Sequence, residues 1–185
     1  MLAVEDQLQR ELPQLLPRLW RFALRLTRNR ADAEDLTQRC CLRALERRSQ
    51  WQPGTALLSW LFAIMHSIWL NELRSAQRRR EFSVDWEDDM GDFESRMEAG
   101  NDPEHTMMCR QIVEAVHELP EAQRLVMVLI AAEGLSYRET AQVLDVPIGT
   151  VMSRLARARL AVGQRFLSQS AQGAAKASAT GANPS

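Results

Sequence analysis

The chain has 185 residues, 45% hydrophobic and 25% charged, enough for one large or two small globular domains and unlike a disordered or fibrous chain. The formal net charge of −1 hides an uneven distribution: residues 1–80 carry +6, 81–118 carry −10 and 119–167 carry +2, so two basic modules flank an acidic stretch. Cys40, Cys41 and Cys109 form neither a disulfide framework nor a Cys/His zinc spacing, the N-terminus has acids where a signal peptide has an apolar core, and the Leu57–Leu70 apolar run is too short for a membrane span of ~20 residues, so the expectation is a cytoplasmic protein with reduced thiols and no membrane insertion.

Apolar spacing predicts a first helix from about Leu12 to Thr27, with Leu16, Leu19, Trp20, Ala23 and Leu26 on one face. Thr27 to Ala31 reads as a connector. Asp32 is placed to cap a second helix to about Arg48, with Glu34 and Asp35 near its positive end. The Pro-Gly pair makes Trp51–Thr55 a loop. Thr55 is placed to cap a long helix to about Arg80, with Leu57, Leu61, Ile64, Met65 and Ile68 as its core stripe. These three helices can bury one another and form the first module, residues 1–80. Residues 81–101 are acidic and aperiodic, the pattern of a flexible linker. Asp102-Pro103-Glu104 is a helix start, and helices are expected over about Glu104–Glu118 and Glu121–Glu133, broken at Pro120.

Gly134 to Arg159 carries most of the information. Gly134 suits a left-handed cap. Ser136 and Glu139 have the spacing of a capping box, Ala141 is small where two helix backbones approach, Asp145 and Val146 make a turn, and Pro147 opens the next helix. Val151, Leu155, Ala158 and Val162 recur at helical spacing as a buried stripe, and Gly149, Thr150, Ser153, Arg154 and Arg157 face away from it. Four arginines and no acid lie between Pro147 and Arg165. Arg bonds guanine edges or phosphates, and Ser and Thr suit either target. Two capped helices joined by a short turn, the second basic on its open face, form a helix-turn-helix expected to bind the DNA major groove. An ordinary amphipathic surface helix is the plain alternative. Residues 102–167 thus form the second module, and 168–185 are low-complexity, with the composition of a disordered tail. The fold class is all-α: two small helical domains joined by a flexible acidic linker.

This order of modules resembles the extracytoplasmic-function group of bacterial sigma factors. FALRLTRNRADAEDLTQRCCLRAL (Phe22–Leu45) is similar to the family's region two, PGTALLSWLFAIMHSIWLNELRSAQRRR (Pro53–Arg80) to its promoter-melting part, and LPEAQRLVMVLIAAEGLSYRETAQVLDVPIGTVMSRLARARLAV (Leu119–Val162) to region four. The resemblance implies that Asp35, Gln38, Arg39 and Leu42, which share one helical face, dock on the β′ clamp helices of core RNA polymerase; residues alone allow a solvated face. Arg39 stands where the family usually has an acid. The resemblance further implies that the stripe Trp60, Ala63, Ser67, Asn71, Arg74 and Arg78 holds unstacked minus-ten bases and their phosphates. Trp60 and Trp69 also suit a core, and position 63 is commonly Arg in the family. Gly149, Thr150, Ser153, Arg154 and Arg157 become the minus-thirty-five readers. Core polymerase (β′ and β), promoter DNA and an anti-sigma factor are the implied partners. No catalytic residue, metal, cofactor or small-molecule substrate is expected.

Two rival readings differ in class. A stand-alone helix-turn-helix regulator needs a dimer and a palindromic site. A metal-dependent enzyme needs a preorganised acidic site; Asp32, Glu34 and Asp35 fit helix capping better, and the acids from Asp85 to Asp92 sit in a linker.

Overall fold

Leu, Ala, Arg, Glu and Gln are good helix formers, and every regular element among the described residues is a helix. The computed structural model describes the backbone over residues 2–52, 54–80 and 103–180, and side chains over 7–52, 54–76, 107–108 and 111–165. The expected linker, 81–101, and the side chains of Arg78 and Cys109 lie outside the described residues. The elements are α1 (Leu2–Thr27), α2 (Arg30–Glu46), a 3₁₀ turn at Arg48–Gln50, α3 (Leu57–Arg80), α4 (Pro103–His117), α5 (Glu121–Met127) continued by a π turn at Val128–Ala132, α6 (Tyr137–Leu144) and α7 (Ile148–Thr180). They divide into two compact units, the first built on α1–α3 and the second on α4, α5, the start of α6, and α7.

In the first unit the three helices pack on one another. Leu8, Leu19, Phe22, Ala23 and Leu26 of α1, Ala33, Leu36, Cys40 and Ala44 of α2, and Leu57, Leu61, Phe62 and Met65 of α3 are buried, with Trp51 from the loop. Phe22 and Phe62 meet at 4.5 Å between centroids, tilted by 48°, an aromatic contact of favourable geometry. α1 begins well before Leu12 and runs through Pro13 and Pro17. Leu8, fully buried one turn before Pro13, anchors that early stretch. Leu16 was expected in the core but is 40% exposed. The buried face centres on Leu8, Leu19 and Leu26, and a 3.6-residue period leaves Leu16 on its flank.

Two expected caps differ. Asn29, not Asp32, caps α2: its side chain accepts the Asp32 N–H at 3.1 Å. The Thr55 hydroxyl donates to the Gln52 carbonyl at 2.7 Å, closing the loop rather than capping α3. Gly54 in that loop has φ +90°, a conformation that needs no Cβ.

In the second unit α4 and α5 pack against α7. Ala115, Leu119, Leu125, Val126, Leu129, Val151, Leu155 and Ala158 are buried. Buried Arg124 donates to the His117 carbonyl at 3.1 Å, satisfying the exposed end of α4. The helix expected over Glu121–Glu133 ends in the π turn, where the Glu133 N–H reaches the Val128 carbonyl at 3.0 Å. The low-complexity segment expected to be a tail differs as well: helical backbone continues to Thr180, because its alanines and Gln172 and Lys176 are strong helix formers.

Candidate nucleic-acid interface

Gly134 ends the helix before α6 at φ +73°, and the Leu135 N–H then bonds the Leu129 carbonyl at 3.0 Å. The chain turns there because a side chain would strain the left-handed conformation. α6 starts on a reciprocal capping box. Ser136 Oγ accepts the Glu139 N–H at 3.2 Å, and Glu139 Oε2 accepts the Ser136 N–H at 2.8 Å. Asp145 makes the turn at φ +52°, a region that Asp tolerates better than most residues. Pro147 sits one position earlier than expected, as the residue whose carbonyl accepts the first helical bonds of α7, from Thr150 at 2.9 Å and Val151 at 3.3 Å.

Val151, Leu155 and Ala158 are buried and Val162 is half-buried, so α7 presents its expected stripe inward. Gly149, Ser153 and Arg157 are exposed, while Thr150 and Arg154 are half-buried at one edge of the open face. No atom lies within 4 Å of where a Gly149 Cβ would stand, leaving this backbone open to approach. The helix start adds unpaired N–H groups and a positive dipole end, which favour phosphate. Met152, 49% exposed beside Ser153, was missed by the sequence reading. Its signal was a large apolar residue off the buried stripe, the kind of group that suits a thymine methyl.

On α3, Ser67, Asn71 and Arg74 are exposed along one line, and Trp60 and Ala63 are half-buried at its start. Trp51, in the loop before α3, is buried with no partner for its indole N–H among the described residues. Trp69 is half-buried, with its indole N–H likewise buried and unpartnered.

On α2, Asp35 and Gln38 are exposed and Leu42 is 61% exposed, an apolar group held in water. Arg39 differs from the other three. Its Nε meets Asp35 Oδ2 at 2.8 Å, and its Nη1 pairs with Glu72 of α3. The Glu72 hydrogen bond and the two carboxylate charges raise the guanidinium above its ordinary pKa, against the opposing effect of burial. Arg39 therefore joins two helices instead of standing free. Nearby, the Arg30 guanidinium lies 5.6 Å from the centre of the Trp20 ring, a cation–π contact.

Burial, with Cys41 as neighbour, pushes the Cys40 thiol up to about 12, and its sulfur donates to the Leu61 carbonyl at 3.4 Å. Burial raises Cys41 too. Neither is poised as a thiolate. Among the described residues no helix is long and apolar enough to cross a membrane.

Comparison with known proteins places these two units in one frame. Residues 13–79 match the model for sigma-70 region 2, and residues 109–162 match that for sigma-70 region 4. The ECF RNA polymerase sigma factor EcfG of Rhodopseudomonas palustris is 32% identical over 154 residues, covering 83% of this chain and 82% of its own. The ECF RNA polymerase sigma-E factor of Escherichia coli K12 is 34% identical over 141 residues, covering 72% and 73%. Among solved structures, the sigma factor RpoE of Bartonella quintana, in complex with the anti-sigma factor NepR, superposes with a TM-score of 0.72 at 27% identity, over 87% of this chain and 97% of the other.

Proposed function

Since the chain belongs to the extracytoplasmic-function family of RNA polymerase sigma factors, we propose that its two units divide the work of promoter recognition in a definite way. The protein directs core RNA polymerase to promoters. The unit of α1–α3, within residues 1–80, docks on the β′ subunit through Asp35, Gln38 and Leu42, and receives the opened minus-ten strand along Trp60, Ser67, Asn71, Arg74 and Arg78. The unit within residues 102–167 reads the minus-thirty-five element through Gly149, Thr150, Ser153, Arg154 and Arg157, with Met152 added to that face. Residues 81–101 tether the two.

The observation that carries this assignment is the start of α7. An open Gly149 backbone, exposed Ser153 and Arg157, and half-buried Thr150 and Arg154 stand opposite a stripe sealed by Val151, Leu155 and Ala158. The stripe fixes the roll of the helix, so these groups point outward together and can reach base edges and phosphates. Mounted on one polymerase, the two units make one bivalent grip from two weak contacts.

The protein works in the cytoplasm and carries no catalysis of its own; the chemistry of RNA synthesis belongs to the polymerase. Its activity is held in check by an anti-sigma factor and released for a stress or envelope-signal regulon. The support for the anti-sigma factor is the Bartonella relative, which is bound by one. Run-off transcription with purified core polymerase on genomic fragments tests the reading. The protein is expected to confer specific start sites, and the reading falls if start-site selection is the same with and without it.

A further inference from the structure

The Arg39–Glu72 pair lies between the two surfaces of the first unit. Arg39 leaves the open face of α2 and turns to Asp35 on its own helix and to Glu72 on α3. Glu72 directly follows Asn71 and precedes Arg74 by two residues, at the border of the exposed Ser67–Asn71–Arg74 line. Its side chain is only 32% exposed. Charges this close act on one another well within the Debye length of ~8–10 Å at physiological salt. A bare carboxylate there repels any phosphate that Arg74 attracts, and a partly buried one, left unpaired, swings outward toward water and toward that line.

We propose that Arg39 is a positioning residue for promoter opening: it neutralises Glu72 and holds it clear of the single-strand face of α3, and does not itself contact the polymerase. The inference rests on the reading of that α3 line as the minus-ten surface. It explains why one member of an otherwise free α2 face is committed inward, while Gln38 and Leu42 stay open. Electrostatic order follows: Asp35 and Glu72 share one cation, and Arg74 keeps its charge for DNA.

The test uses the full chain assembled with core polymerase, as wild type, Arg39→Gln, Glu72→Gln and the double variant. Three quantities are read: affinity for core, melting temperature of the free protein, and permanganate reactivity of opened minus-ten thymines across a salt series. Arg39→Gln is expected to lower opening about two- to fivefold at low salt, the size of one partly screened charge repulsion, with core affinity unchanged. The defect shrinks as salt rises, because screening removes the repulsion. Glu72→Gln alone opens as well as wild type, and the double variant regains wild-type opening. Loss of core affinity in Arg39→Gln overturns the proposal in favour of a polymerase contact. A defect that ignores salt, or that Glu72→Gln fails to rescue, overturns it in favour of a simple helix staple. A wild-type holoenzyme that opens no promoter sinks the parent reading; a competent wild type with either overturning result sinks this inference alone.

Discussion

Ser136→Ala and Glu139→Ala probe how the recognition unit is built. α6 has only eight residues, and a helix so short cannot repay its own nucleation. Its first turn is held by two reciprocal bonds, Glu139 N–H to Ser136 Oγ at 3.2 Å and Ser136 N–H to Glu139 Oε2 at 2.8 Å. Removing a Ser cap costs about 0.5–2 kcal/mol. Both bonds are exposed, so water replaces part of what is lost and the lower half applies, about 0.5–1 kcal/mol for Ser136→Ala. Glu139→Ala loses an ionic acceptor that also faces the positive helix end, again about 0.5–1 kcal/mol. The double variant is expected to lose about 1–2 kcal/mol, near the sum, since each bond caps a different N–H. Amide hydrogen exchange at Ser136 and Glu139 is the assay, because it reports local opening of this turn rather than unfolding of the other unit. A loss of 1 kcal/mol speeds exchange about fivefold. Unchanged exchange in both single variants refutes the idea that this box starts α6. A loss well above 2 kcal/mol in either refutes the assignment of the bonds as exposed and water-replaceable.

The remaining expectations concern other links of the chain. Gly134→Ala costs about 1 kcal/mol by urea denaturation: φ is +73° and nothing lies within 4 Å of the new Cβ, so the cost is backbone strain alone. Gly134→Asn recovers most of it, and an equal loss in both contradicts this. Cys40, raised in the folded state to about 12 from an ordinary value of 9.0, stabilises the fold fully below the unfolded pKa. Between those values the unfolded chain releases the proton first, so stability falls by about 1.4 kcal/mol per pH unit. Wild type should lose that extra slope above pH 9 relative to Cys40→Ala; parallel curves sink the assignment. Arg154→Ala is expected to weaken promoter binding by about 1–3 kcal/mol and relax upstream base preference, and an unchanged footprint speaks against it. Asp35→Ala should lower co-purification with core polymerase while melting within about 1 kcal/mol of wild type, since its bond to Arg39 is largely exposed; normal co-purification contradicts the docking role.

Much of the recognition unit was legible before any coordinates. The Ser136–Glu139 spacing, the Gly134 stop and the Val151–Leu155–Ala158 stripe are local signals, set by residues within one or two turns of each other, and each has its expected form. What local reasoning missed was non-local. Asn29 and Asp32 are both good caps, and only the path of the chain out of α1 selects Asn29. Leu16 has the right periodicity but sits on the flank of a face whose centre is set by what α2 and α3 present. Phe62 was passed over in favour of its neighbours, yet it is buried against Phe22, forty residues away in sequence.

Arg39 shows the division most plainly. Its place on the α2 face follows from helical period alone, and the family likeness then offers it to the polymerase. Its direction is decided by an acid on another helix, 33 positions along the chain. The order of residues determines helices, their ends and which side of each is apolar, because those depend on backbone bonds and spacing within a few residues. Packing alone decides which charged side chains remain free for partners, because ion pairs form between whatever groups the assembled helices bring within reach.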